Sequence, residues 1–262
     1  MNGCHDIETP SIHDSPLSIE RGNIMTYLFR IYRYDPQKDK EPYYMDYRLE
    51  VEPNERILDC LNRIRWEMDP TLSFRMSCAH GVCGSDGMKI NGICSLACQK
   101  SIKDYSGDTI TVDPLPNFPV IKDLIVDLES FFEKYRSLKP YLITDGKEPE
   151  GERLQTIEER KTFDEAIRCI LCACCTASCP VTENNETFSG PAAILRSFRY
   201  LFDSRDRGDM ERIAMLDTSE GVHGCKAHGK CTEVCPKEIH VAKAIGKTKK
   251  KLYDLKKEKH II

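Results

Sequence analysis

Fourteen cysteines punctuate the 262 residues, and most crowd into two stretches of the chain. Thiols at such tight spacings suit metal or cluster ligation better than disulfides. In "CAHGVCGSDGMKINGICSLAC", four residues separate Cys78 from Cys83, Asp86 follows after two more, and Cys98 closes the set. This is the plant-type two-iron spacing, C-x₄-C-x₂-C…C, with an aspartate in the third place. A carboxylate ligates iron as a harder donor than thiolate. Gly81, Gly84 and Gly87 let the loop turn and aim backbone N–H groups at a negatively charged cluster. Two other readings stay open. In one, Asp86 caps a turn while Cys94 supplies the fourth sulfur; in the other the motif holds zinc, whose sites favour paired C-x₂-C units.

The run "CILCACCTASCP" places Cys169, Cys172, Cys175 and Cys179 before Pro180, which is the bacterial C-x₂-C-x₂-C-x₃-C-P pattern. In two-cluster ferredoxins the fourth cysteine of such a run serves the other cluster, so a second run is required. "CKAHGKCTEVCP" supplies it, with Cys225, His228, Cys231 and Cys235 in the four places and Pro236 after them. A [4Fe–4S] cluster is then expected on Cys169, Cys172, Cys175 and Cys235. Cys179, Cys225 and Cys231 leave only three thiolates for the other cluster, which predicts [3Fe–4S]. An imidazole carries its donor farther from the backbone than a cysteine carries sulfur, so His228 is read as a neighbour of that cluster rather than a ligand. Histidine ligation, known in Rieske centres, is the alternative. Cys174, an extra thiol inside the first run, is expected to pack as a small apolar residue.

Two architectures must hold these motifs. Alternation in TYLFRIYRY and YYMDYRLEV predicts a β-hairpin. ILDCLNRIRWEM places Ile57, Leu58, Leu61, Ile64 and Met68 on one helical stripe after an Asn54–Glu55 start signal. Short strands are expected at Met88–Asn91 and Thr109–Val112, and a helix through LIVDLESFFEKY. Beyond about residue 160 the patterns turn helical: ERKTFDEAI, PAAILRSFRYLFDS with Pro191 at its first turn, and a lysine-rich final segment with apolar residues at 241, 242, 245, 252 and 255. The lysines read as a solvated face.

The fold class expected is α+β. It comprises a disordered tail (1–24, with Met25 a possible start), a β-grasp plant-type [2Fe–2S] domain with a trailing helix (25–138), a linker (139–158) and an all-α two-cluster domain (159–262). No apolar run reaches the roughly 18 residues that span a bilayer, and the first residues carry neither a secretory nor a twin-arginine signal. A net charge of −4 argues against a nucleic-acid partner.

A plant-type two-iron domain followed by a two-cluster ferredoxin domain resembles the iron–sulfur subunits of succinate dehydrogenase and fumarate reductase. The resemblance extends to PLPNFPVIKDLIVDLESFFEKY, GPAAILRSFRYLFDSRD and CTEVCPKEI. It implies an electron-transfer subunit that works between the FAD of a flavoprotein partner and a quinone beside membrane-anchor subunits, peripheral to the cytoplasmic face of the inner or plasma membrane. An aspartate also ligates the two-iron cluster in some family members, and the family's third cluster is [3Fe–4S]. Where many members carry aromatic residues after the third-cluster cysteine-proline, this chain has Glu183 and Asn184, and Lys226 stands where many have histidine. Pro180, Lys226 and His228 are the candidates for the quinone-site edge. The altered residues motivate an alternative, a fumarate reductase with a soluble electron donor.

Overall fold

The computed structural model describes residues 24–146 and 149–258. Residues 1–23 of the expected tail lie outside the described residues. Strands β1 (Met25–Arg33) and β2 (Tyr43–Val51) form the expected antiparallel hairpin. Side chains alternate across a strand, so Tyr27 and Phe29 of β1 meet Leu49 and Tyr47 of β2 on one buried face. β3 (Gly87–Ile90) and β5 (Thr109–Asp113) lie where expected. A further strand, β4 (Ile93–Leu96), pairs with β3 around Asn91 and Gly92, both at positive φ. The Asn-Gly pair is a hairpin signal that marks this strand in the sequence as well. The sheet order is β2-β1-β5-β3-β4, with β1 and β5 parallel at its centre.

Helix α1 (Ile57–Arg63) buries Ile57, Leu58 and Leu61 in the same core as the sheet. It starts at Arg56 with no side-chain cap, not at the Asn54–Glu55 signal, and runs into a π turn, Ile64–Met68. The wider turn rotates the stripe, leaving Ile64 buried but Met68 49% exposed. The helix expected through LIVDLESFFEKY is shorter than its periodicity suggests. β-branched Ile125–Val126 forms strand β7 against β6 (Val120–Lys122), and α2 covers only Glu129–Ser137.

The remaining described elements are helical. ERKTFDEAI breaks at Thr162–Phe163 into α3 (Ile157–Lys161) and α4 (Asp164–Ile167), because Phe163 is driven into the core. Short α5 (Cys174–Ala177), α6 (Pro180–Asn184) and α9 (Lys230–Glu233) shape the cysteine loops. Longer α7 (Pro191–Leu201), which begins on Pro191, α8 (Asp209–Leu216) and α10 (Val241–Glu258) frame them. α7 is the central strut, packed against α2, α4, α8 and α10. On α10, Val241, Ile245, Leu252 and Leu255 are buried. The fully buried Arg212 guanidinium donates to Asp206 at 2.7 Å and to the carbonyls of Lys139 and Tyr141 at 2.9 Å, anchoring the start of the 139–158 segment on the helical half. No helix among the described residues is long and apolar enough to cross a membrane.

Candidate iron–sulfur centres

The loop from Cys78 to Asp86 hangs between α1 and β3. Backbone N–H groups of His80 and Cys83 point at the Cys78 sulfur, each at 3.3 Å. These and the Val82 N–H pull the Cys78 thiol down to about 6, the direction a thiolate ligand needs. Arg56 steadies the loop by donating to the Ala79 carbonyl at 2.8 Å. Asp86 is 2% exposed; its Oδ2 accepts the Cys98 N–H at 2.6 Å, while Oδ1 is buried with no hydrogen-bond partner. An orphaned buried carboxylate oxygen is costly unless something binds it. Burial, then the Asp86 carboxylate, push the Cys98 thiol up to about 12. Cys83 is exposed, so the site opens to solvent on one side. The structure thus brings Asp86 to Cys98. Cys94 is buried in the other core cluster, with Ser178 and Cys172 beside it, whereas Cys98 lies in the core of the sheet.

The second and third groups line two separate cavities. One is lined by Cys169, Cys172, Cys175 and Cys235, with Leu195, Ile239 and Val241 among its apolar walls. The other is lined by Cys179, Cys225 and Cys231, with Pro180, Lys226, His228, Phe188 and Ile245 also on its walls. Cys169, Cys172, Cys175 and Cys235 thus share one cavity, and Cys179, Cys225 and Cys231 the other.

Electrostatics couple the thiols within each cavity and, at one point, across the two. Burial first, then the charges of Cys172 and Cys235, push the Cys169 thiol up to about 11. Burial, then Cys179 and Cys225, do the same to Cys231, also to about 11. Cys175 is pushed well up by burial and feels Cys172, Cys169, Cys231 and Cys235, so the cavities adjoin. Buried thiols that oppose one another's ionisation call for a cation to share, a role iron would fill. Cys172 goes the other way, pulled down chiefly by a hydrogen bond from the Cys174 side chain. Cys174 itself is fully buried, as expected of a packed residue.

Among the described residues, no three His, Cys, Asp or Glu side chains converge closely enough to hold a single metal ion. Pro180 is half-buried, while Lys226, His228, Glu183 and Asn184 are exposed. Two residues near the centres carry no cysteine-type signal and escaped the sequence reading: Arg56, and Lys237 on the wall of the Cys169 cavity. The only cue for Lys237 is its place just after Cys235–Pro236.

An α+β chain with a two-iron loop on a sheet and paired cysteine runs in a helical half defines a multi-cluster iron–sulfur protein. Family models agree: one described as a 2Fe-2S iron-sulfur cluster binding domain matches residues 28–133, and one described as a 4Fe-4S dicluster domain matches residues 165–239. The chain is 46% identical to the succinate dehydrogenase iron-sulfur subunit of Coxiella burnetii, over 84% of this chain and 94% of that one. It is 40% identical to the mitochondrial succinate dehydrogenase (ubiquinone) iron-sulfur subunit of Candida glabrata, over 86% and 90%. A solved structure titled as the Mycobacterium smegmatis Sdh1 complex in the apo form contains a similar chain, with a TM-score of 0.82 and 30% identity over 89% of this chain and 98% of that one. The chain belongs to the succinate dehydrogenase iron–sulfur subunit family.

Proposed function

We propose that this chain carries electrons between the FAD of a flavoprotein partner and a quinone held near membrane-anchor subunits, in a succinate dehydrogenase complex. The observation that carries the reading is the division of seven cysteines between two adjoining cavities, four in one and three in the other. Cys78, Cys83, Asp86 and Cys98 would hold [2Fe–2S]; Cys169, Cys172, Cys175 and Cys235 would hold [4Fe–4S]; Cys179, Cys225 and Cys231 would hold [3Fe–4S]. When bound, such clusters accept and release one electron at a time. The chain's own residues line the sites up, supply thiolates and keep water out with apolar walls. A dry wall strengthens every hydrogen bond and charge that tunes a cluster. Pro180, Lys226 and His228 form the proposed edge of the quinone site, because they share the cavity of the three-thiol centre. The subunit would sit peripherally on the cytoplasmic face of the membrane. No observation favours a soluble donor.

Low-temperature EPR of the complex purified from membranes tests this reading. The air-oxidised protein should show the near-isotropic signal of an oxidised three-iron centre, and reduction should reveal two-iron and four-iron signals. A complex fully loaded with iron that lacks the three-iron signal contradicts it.

A further inference from the structure

We propose that Lys237 is a charge clamp between the first and second cluster sites, holding the two-iron loop against the Cys172 run and favouring the reduced state of the four-iron cluster. The inference rests on the ligand reading above and adds a residue to it. The two loops touch directly. A Cβ placed on Gly84 would stand 2.9 Å from Cys172 Cβ and 3.0 Å from the Ile170 carbonyl oxygen, and one on Gly87 would stand 2.9 Å from the Cys172 carbonyl oxygen. Side chains at either position would force the loops apart, so the two sites are in close contact here. Lys237 also links the two loops. Its Nζ reaches the Gly81 carbonyl oxygen at a long 3.4 Å across 156 positions of sequence, and the residue also lines the cavity of Cys169, Cys172, Cys175 and Cys235.

The lysine is half-buried, yet among the described residues it forms no ion pair. A half-buried lysine without a carboxylate partner is better placed where negative charge lies near it. Thiolate-bound clusters on either side would supply that charge. Reduction adds one electron, making a cluster more negative, and a nearby fixed cation stabilises the reduced form more than the oxidised one. Removing the cation should therefore lower the reduction potential.

Redox titration of the intact complex, followed by EPR, is the test. Lys237→Met should retain its iron and lower the midpoint potential of the four-iron cluster, with a smaller drop at the two-iron cluster and no change at the three-iron centre. Lys237→Gln, which keeps an N–H donor for Gly81 but no charge, should show the same drop, and serves if the methionine variant fails to load. Lys237→Arg should restore the wild-type potential. Lys250→Met, which removes an exposed charge from α10, should change nothing. Unchanged potentials in the loaded Met or Gln variant, an equal drop in the Arg variant, or an equal drop from Lys250→Met would each overturn the proposal. Absence of the cluster signals from the wild-type complex would instead count against the ligand assignment itself.

Discussion

Asp86 shows how much one carboxylate can depend on what it binds. With Oδ2 taken by the Cys98 N–H and Oδ1 buried and unpaired, its environment suits a ligand better than a loop acid. Asp86→Cys should keep a two-iron cluster with a changed potential, since thiolate is softer than carboxylate. Cys94→Ser should leave the two-iron EPR signal unaltered, because Cys94 lies with Ser178 and Cys172. Loss of that signal in Cys94→Ser, with retention in Asp86→Ala, would reverse the assignment. His228 makes the complementary case. It lines the three-thiol cavity but is exposed, so its ring has solvent to turn into. His228→Ala is expected to preserve the three-iron signal while altering quinone reduction; conversion of a four-iron signal to a three-iron one on this substitution would make the histidine a ligand.

At the scale of elements, buried charge does work that apolar packing does elsewhere. Arg33 sits on the core face of β1, 4% exposed, and donates to Asp123 at 3.1 Å, to Tyr47 at 2.6 Å and to Asp69. It thereby ties the sheet to the loops that follow α1 and β6. Arg212 and Asp206 form the counterpart in the helical half, with Asp206 also accepting N–H groups of Ile143 at 2.9 Å and Gly208 at 2.7 Å. Asp206→Ala leaves a fully buried guanidinium unpaired and should cost about 3–5 kcal/mol. Urea unfolding should show that loss, and the double variant Asp206→Leu/Arg212→Met should recover much of it. A loss below about 1 kcal/mol in the single variant would mean that water replaces the carboxylate.

For the whole molecule, the contact that matters is the one between the two halves. Gly84 adopts φ +70 and faces Cys172, so Gly84→Ala meets both a left-handed backbone, costing about 1–2 kcal/mol, and a collision with the neighbouring cysteine run. Iron analysis should find the two-iron and four-iron sites both less fully loaded, with the three-iron site spared. Gly246→Ala, where a new Cβ meets open space, should load normally. Equal iron content in the two variants would show that the junction is compliant.

Cysteine spacing is a local property, and the donors within a run are held by a handful of backbone dihedrals, so the class of cofactor, the two-part architecture and the pairing of the runs were legible in the sequence. The β1–β2 hairpin and α7 were legible for a similar reason, since alternation and a proline-led apolar stripe each record one buried face. Residues 124–126 and Met68 were misread because pairing with β6 and a π turn depend on partners and on geometry that periodicity does not encode. The place of Cys94, the orphaned oxygen of Asp86 and the approach of Lys237 to Gly81 were decided only by tertiary structure. Each depends on segments far apart in sequence coming within a few ångströms, where burial sets the value of every charge.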